Sequence, residues 1–502
     1  MEEEYDSQLE ADAAINIDPS DQRTPFERDR DRILYSREFR RLKDVTQVAR
    51  TGESYLYHDR LTHSLKVAQV GRRLAELLID YYGGEFENLG QYLNEDVVEA
   101  ACLAHDIGHP PFGHETENLL DLKIRQKSKE QAGQEDSDDI ENNNIQGFEG
   151  NAQSFRAVTK LGTHRPGICG MDLTRATLNA MLKYPWKRDA EDIASDKDTD
   201  DKWGYYPSEN SHFNFARAGT DGGRNKVIEA EVMDFADDLT YAIHDVEDFY
   251  RSGLLPLDQL LREAKELFKQ LPDEAGIDEL PDYDRLIVEH SKSHNMEVFD
   301  FAEYVSDKSG VEATLPEVLD FLIKLTDFAF IGDSLFTPYE GTQRERNQLN
   351  KLISSLIGWY IEATEREPSE RNVGVIGHSV DGLPTLDVDE ELMKEIEILK
   401  ELTFYYVISN PTLSAQQAGQ KEIINVLFEE LYNEADPESV DTSLIMEPYR
   451  ERIKNIDSED CTLRARIVAD LISNMTESQA VEMRNRITGN SPGSLQNEII
   501  RQ

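Results

Sequence analysis

The stretch Ala101 to Glu117, Ala-Cys-Leu-Ala-His-Asp-Ile-Gly-His-Pro-Pro-Phe-Gly-His-Glu-Thr-Glu, restricts the fold more than any other part of the chain. Glu95 to Ala104, just before the break, have helical composition with apolar positions at Val97, Val98, Ala101 and Leu103. Pro110 and Pro111 cannot continue a helix, because they lack the amide donor and clash with the preceding turn. His105 and Asp106 are therefore expected at the end of a buried helix, where it breaks. Adjacent helical side chains diverge by about 100°, so this pair can converge only on a small object at their shared edge. A metal ion is such an object, and imidazole with carboxylate suits a divalent ion such as Mn, Fe(II), Co, Ni or Zn. Cys102 falls on the apolar side and reads as core rather than as a thiolate ligand. A single histidine at a helix end is usually a cap. Three of them, His105, His109 and His114, beside Asp106 and flanked by glycines, favour a site.

Around this stretch the chain reads as helical throughout. Phe26 to Lys43 alternates Ile33, Leu34, Phe39 and Leu42 with six arginines, a basic island suited to attract phosphate or a neighbouring subunit. Thr51-Gly-Glu is a turn, and Leu61 to Ile79 is strongly amphipathic, with Leu61, Leu65, Ala68, Ala75 and Leu78 on one buried side. Residues 126 to 146 and 187 to 202 read as polar or acidic insertions, and Gly147-Phe-Glu-Gly-Asn151 opens a helix. Helices are also expected over Leu173 to Tyr184, Pro316 to Phe330, Glu390 to Ser409 and Thr462 to Arg486. No alternating strand series and no short repeat is evident, so the predicted fold is all-α. The expected organisation is an acidic tail over 1–22, a core over 23–255, a helical C-terminal part over 256–490 and a tail over 491–502.

Charge narrows the function classes. The chain carries 100 acidic against 53 basic residues, a formal charge of −47. The acids recur along the whole sequence between apolar positions, as on an acid-coated folded surface of a salt-loving cytoplasm rather than in a disordered tail. At about 1 M salt the Debye length is about 3 Å, which screens such self-repulsion. A broad basic nucleic-acid face is disfavoured. Three cysteines, at Cys102, Cys169 and Cys461, suggest a reducing compartment without a disulfide framework. The acidic start Met1-Glu-Glu-Glu and the lack of eighteen consecutive apolar residues predict a cytoplasmic protein with no membrane partner.

A second informative segment is Glu229 to Tyr250. At about 100° per residue, Asp237, Tyr241 and Asp245 share a fan of roughly 80°, with His244 on the same side. Consecutive acids usually form an exposed face. Here Met233, Phe235, Leu239, Ile243 and Val246 surround them, so at least one carboxylate should be buried and need a cation or a hydrogen-bonding partner.

The words Arg-Ile-Leu-Tyr-Ser, Phe-Arg-Arg-Leu-Lys, Arg-Leu-Thr-His-Ser-Leu, His-Asp-Ile-Gly-His-Pro-Pro-Phe-Gly-His, Phe-Glu-Gly-Asn-Ala-Gln, Leu-Thr-Arg-Ala-Thr-Leu and Ala-Asp-Asp-Leu-Thr-Tyr occur in this order. With His63, His105, Asp106 and Asp237 they make the chain resemble the HD-domain deoxyguanosine triphosphate triphosphohydrolases, from about Phe26 to about Gly489. The resemblance implies an all-α HD-domain fold with additional C-terminal helices and acidic loop insertions. It implies His63, His105, Asp106 and Asp237 as ligands of a divalent ion (Mn, Mg, Fe, Co or Ni), and His114 with Glu117 as a catalytic pair. Asp237 rather than Asp238 is chosen because it lies four residues before Tyr241 and eight before Asp245, the family spacing. Gln47, Tyr241 and Asp245 are then implied sugar contacts, and Arg60, Lys183, Tyr184 and Lys202 implied phosphate contacts. One departure is His58-Asp59 before Arg60, where the family usually has Thr; it sets an acid beside a phosphate contact.

The implied activity is hydrolysis of a deoxynucleoside triphosphate at the α-phosphorus to deoxynucleoside and tripolyphosphate. Implied partners are the nucleotide and further copies of the chain, with single-stranded nucleic acid or an allosteric nucleotide as additional candidates. The alternatives are an HD phosphatase or phosphodiesterase, and a nucleotide-sensing binding protein with low turnover. The sugar-recognising set argues against the former and the intact ligand positions against the latter.

Overall fold

Thr24 starts the first helix, α1 (Pro25–Tyr35), through a capping box with Glu27. The computed structural model describes residues 21–47, 58–84, 86, 89–132, 147–164, 169–188, 202–220, 223–268, 296–329, 333–365, 372–377, 383–408, 411–440 and 444–491. The expectations for residues 1–20, Thr51-Gly-Glu, 133–146, 189–201 and 492–502 lie outside these. The helix expected over 26–43 is interrupted at Ser36, whose hydroxyl accepts from the Phe39 amide and caps α2 (Arg37–Arg41). The arginine island is largely spent inside the fold. Arg30 pairs with Glu99, Arg32 with Asp29, and buried Arg41 donates to the carbonyls of Ile107, His109 and Met475.

α3 (Arg60–Tyr82) packs against α4 (Glu95–Ala104), and α4 breaks where the prolines require. Leu65 is 44 % exposed, against expectation; the buried stripe runs instead through His63, Val67, Val70, Leu74 and Leu78. α5 (His114–Ala132) continues through Gln126 to Ala132, where a polar loop was expected. Its last turns are held by tertiary contact, since the Thr462 hydroxyl meets Ser128 and Gln131. α6 (Gly150–Arg156) follows, capped by Glu149. The helix expected over 173–184 is confined to Arg175–Ala180, capped by Thr174, and the Lys183-Tyr184-Pro185 segment leaves it.

α7 (Ile228–Arg251) lies along α3 and α4 and completes the core they form. α8 (Leu257–Phe268), α9 (Glu297–Lys308), α10 (Leu315–Ala329) and α11 (Gln343–Ile361) extend the same apolar cluster. The strands β1 (Val373–Gly377) and β2 (Pro384–Val388) then pair antiparallel, Val373 opposite Val388. Among the described residues this pair is the one sheet in an otherwise helical fold. Each strand is only five residues long, too short for a periodicity reading to register. α12 (Glu390–Thr403) returns to α7 and runs into a π-helical turn over Phe404–Ile408.

A second apolar cluster joins Phe112, Leu120 and Ile124 to α13 (Pro411–Glu434), α14 (Cys461–Ser473) and α15 (Glu477–Ile487). The expected single helix over 462–486 is divided because Thr476 and Gln479 form a capping box that starts α15. Among the described residues no helix is long and apolar enough to cross a membrane.

A cavity of about 540 Å³ lies beside the first turns of α7, with Glu229, Asp234 and Asp238 in its wall. Burial pushes the Glu229 carboxyl up to about 8. A carboxyl whose pKa rises on folding supports the fold fully below its unfolded value near 4.5 and loses that support as pH climbs through about 8. Glu229→Gln is therefore expected to raise the melting temperature at pH 9 by about 2 °C and leave it unchanged at pH 4. Melting curves of both proteins at the two pH values check this. An equal shift at both would remove the titration as its cause.

Candidate metal centre

Asp59 sets the position of the first metal-facing helix. Its carboxylate caps α3, accepting from the Thr62 amide at 2.7 Å and the Thr62 hydroxyl at 2.8 Å. The acid preceding Arg60 is thus committed to the helix end instead of confronting a phosphate. Arg60 itself is buried; its Nε donates to the Thr46 carbonyl and its Nη1 to Asp106 Oδ2 at 2.7 Å.

His105 occupies the C-cap of α4. Its Nδ1 donates to the Cys102 carbonyl at 2.6 Å, which leaves Nε2 as the acceptor nitrogen. That nitrogen is buried without a hydrogen-bond partner, 3.4 Å from Asp237 Oδ1 and 3.5 Å from Asp106 Oδ1. His63 Nε2, from the first turn of α3, lies 3.0 Å from the same Asp237 oxygen. His63, His105 and Asp237 offer ligand atoms all within 4.8 Å of one another, and Asp106 adds a carboxylate to the same corner. Burial alone would lower the His105 pKa, but the Asp106 and Asp237 charges hold it up at about 9. The corner therefore favours positive charge, and a bare buried imidazole nitrogen between carboxylates fits a divalent ion.

Asp238, the neighbour of Asp237, faces elsewhere and lies 3.3 Å from Lys400. The second Asp237 oxygen receives Lys183 Nζ at 3.1 Å, and Lys183 is also held by Asp234 at 2.6 Å. Despite burial, Lys183 and His105 keep the Asp237 carboxyl well below the usual range. Cys102, fully buried in the core, contributes no ligand atom to either His/Asp/Glu cluster among the described residues.

The turn after His105 depends on a close backbone approach. A Cβ at Gly108 would come within 2.1 Å of the Ser154 amide nitrogen, so a side chain there would drive α6 away. Ser154 Oγ accepts from the Gly108 amide and donates to the His105 carbonyl, fixing the turn to α6. The turn ends at Phe112 and Gly113, both with positive φ, and delivers His114 as the first residue of α5.

His114 is exposed, and its Nδ1 is 2.8 Å from Glu117 Oε2. Glu117 is buried, yet the adjacent His114 draws its carboxyl far below the usual range. His109 was left without a role by the sequence, although it is the middle histidine of the stretch. It bridges the two halves of the site, with Nδ1 3.1 Å from Asp106 Oδ1 and Nε2 3.3 Å from Glu117 Oε1. Burial and the Arg60 charge push His109 down to about 3, so it is a neutral imidazole. His109, His114 and Glu117 form a second group of ligand-type atoms within 4.8 Å. Glu149, also unforeseen, shares Lys202 with Glu117 at 3.5 and 3.7 Å. Only its place in Phe-Glu-Gly-Asn hinted at it.

The remaining predicted residues surround this centre. Tyr241 lies edge-on to His63, with ring centroids 6.5 Å apart, and Asp245 follows one turn along α7. Burial, then the Asp248 charge, raises the Asp245 carboxyl well above its ordinary value. Gln47 Oε1 and Asp245 Oδ2 are both buried without a hydrogen-bond partner. Tyr184 stands somewhat apart, edge-on to Trp186 with Lys226 6.0 Å from its ring centre. His244 is buried on α7 and stacks on His58.

The HD domain family matches residues 60–166, and the phosphohydrolase-associated domain matches residues 386–486. A deoxyguanosinetriphosphate triphosphohydrolase-like protein of Streptomyces coelicolor is 33% identical over 494 residues, covering 97% of this chain and 97% of that protein. The chain belongs to the deoxyguanosinetriphosphate triphosphohydrolase-like family. Relatives of the same description in Corynebacterium glutamicum and Shewanella woodyi are 31% and 28% identical, covering 91% and 95% of this chain and 90% and 94% of their own lengths. Membership of the deoxyguanosinetriphosphate triphosphohydrolase-like family, together with the His/Asp corner, makes the protein an HD-domain phosphohydrolase that works with a divalent metal.

Proposed function

We propose that the protein hydrolyses deoxynucleoside triphosphates, dGTP-like in class, to deoxynucleoside and inorganic tripolyphosphate. The observation that carries this reading is the juxtaposition on α7 of Asp237, which meets His63 and His105, with Tyr241 and Asp245 one and two turns beyond it. A phosphoryl group at the corner places the attached sugar toward Tyr241 and Asp245. The unpartnered acceptors of Gln47 and Asp245 suit a ligand that brings hydroxyl donors.

His63, His105, Asp106 and Asp237 would hold the ion. When bound, a divalent metal acidifies a water and offsets charge on phosphoryl oxygens. Arg60 and Lys183 add fixed positive charge at the corner, and Lys202 does so beside Glu117. Water adds to the α-phosphorus, the bond from phosphorus to the 5′ oxygen breaks, and that oxygen leaves as the deoxynucleoside hydroxyl. Glu117 accepts from His114 Nδ1 and aims Nε2 outward, so His114 is placed to give the departing oxygen its proton. Tyr184 contributes to phosphate contact from the rim.

The acid-coated surface supports a cytoplasm rich in salt as the working environment. The test is incubation of the Mn- or Mg-loaded protein with each of the four deoxynucleoside triphosphates at high salt, with products separated by ion chromatography. Tripolyphosphate with deoxynucleoside is expected. Pyrophosphate or orthophosphate as the only inorganic product would replace this reading with the phosphatase one.

A further inference from the structure

His58 precedes the N-cap of α3 and is absent from every role assigned above, yet its ring Nε2 and its backbone amide are both hydrogen-bonded and its Nδ1 faces a carboxylate. Nε2 is 2.6 Å from Lys66 Nζ and must accept; Nδ1 is therefore the protonated nitrogen and lies 2.8 Å from Asp248 Oδ1, within charge-attraction distance but outside hydrogen-bond geometry. The His58 amide donates to the other Asp248 oxygen at 2.6 Å. One carboxylate on α7 thus takes a hydrogen bond from the His58 amide and lies against the His58 ring, which also stacks on His244 with centroids 4.8 Å apart and planes 20° apart. Lys66 in turn lies 3.9 Å from Glu247, which pairs with Arg251.

The residues on either side of His58 in space explain what the grip aligns. Asp59 bridges antiparallel to Thr46, and the Arg60 amide donates to the Val45 carbonyl, so the segment ending in Gln47 is sewn to the start of α3. His58 ties that same start to α7 at Asp248, one turn beyond Asp245. The two buried acceptors without partners, Gln47 Oε1 and Asp245 Oδ2, therefore sit at the two ends of a short mechanical link with His58 at its centre. We propose that His58 is a positioning residue for deoxyribose recognition, holding the Gln47 segment in register with Asp245. The inference rests on the reading of the protein as a deoxynucleoside triphosphate triphosphohydrolase.

The contacts that His58 itself makes reach no metal ligand, so they predict a KM effect that depends on the 3′-hydroxyl. His58→Ala, and His58→Phe, which keeps an aromatic face but neither polar contact, are expected to raise KM for the preferred deoxynucleoside triphosphate about tenfold with kcat within about twofold. His58→Asn, which keeps a polar side chain between Lys66 and Asp248, is expected to recover most of that loss. With the matching 2′,3′-dideoxynucleoside triphosphate, wild type and all three variants should share one KM within about twofold. Comparing two substrates within each variant cancels any loss of folded protein. If His58→Ala and His58→Phe discriminate between the two nucleotides as well as wild type does, the inference is overturned. If wild type turns over neither nucleotide, the functional reading falls and the inference falls with it.

Discussion

Asp237→Ala is expected to leave the purified protein without stoichiometric metal and to lower hydrolysis on the order of 10³-fold, the equivalent of several kcal/mol of transition-state charge stabilisation. Asp237 Oδ1 is the atom that His63 and His105 both approach, at 3.0 and 3.4 Å, so its removal takes away the shared centre of the corner. Asp238→Ala is the control. Asp238 lies against Lys400, and burial raises its carboxyl pKa, so its loss should spare metal content and keep activity within about tenfold. Elemental analysis of both variants after dialysis, with single-turnover rates, separates them. Metal retained in Asp237→Ala and lost in Asp238→Ala would reassign the ligand.

The second large effect is expected at His114. Among the described residues its close polar partner is Glu117, and its ring is exposed toward solvent, so His114→Ala should keep the fold and the metal. Its turnover should fall about 10²- to 10⁴-fold, the usual yield of a positioned general acid. A substrate decides between protonating the departing oxygen and orienting water. An aryl triphosphate ester, whose phenolate leaves without a proton, should be hydrolysed by His114→Ala at nearly the wild-type rate. An equal loss with both substrates would assign His114 to the attacking water instead.

Much of this centre was legible in the sequence because its groups sit on, or at the ends of, helices whose breaks are written in residue type. Pro110 and Pro111 stop α4, and that stop puts His105 and Asp106 at its end. The period of α7 orders Asp237, Tyr241 and Asp245 on one side. The bridging role of His109 was not legible, because nothing in the spacing shows that its ring reaches Asp106 in one direction and Glu117 in the other. The Asp59 cap illustrates a different limit. An acid beside Arg60 reads as a conflict until the backbone shows that its oxygen is used by Thr62. The division between α14 and α15 was available in Thr476 and Gln479, but the apolar period runs through the break and masks it. The β1–β2 pair escapes because each strand is too short to show a period, and the burial of Arg41 depends on partners far along the chain, which no local pattern contains.

Glu477, in the first turn of α15, accepts from the Thr46 amide at 2.8 Å and from the Phe112 amide at 3.3 Å, while Arg41 crosses in the opposite sense to the Met475 carbonyl. The start of α15 therefore braces both the Thr46–Gln47 segment and the bend that presents His114. A gene fragment ending before Thr476 would still encode every metal-binding side chain and yet lack the brace that sets two of the walls. The N-terminal helices are thus tied to the far end of the chain through Glu477 and Arg41 and do not form a self-contained unit.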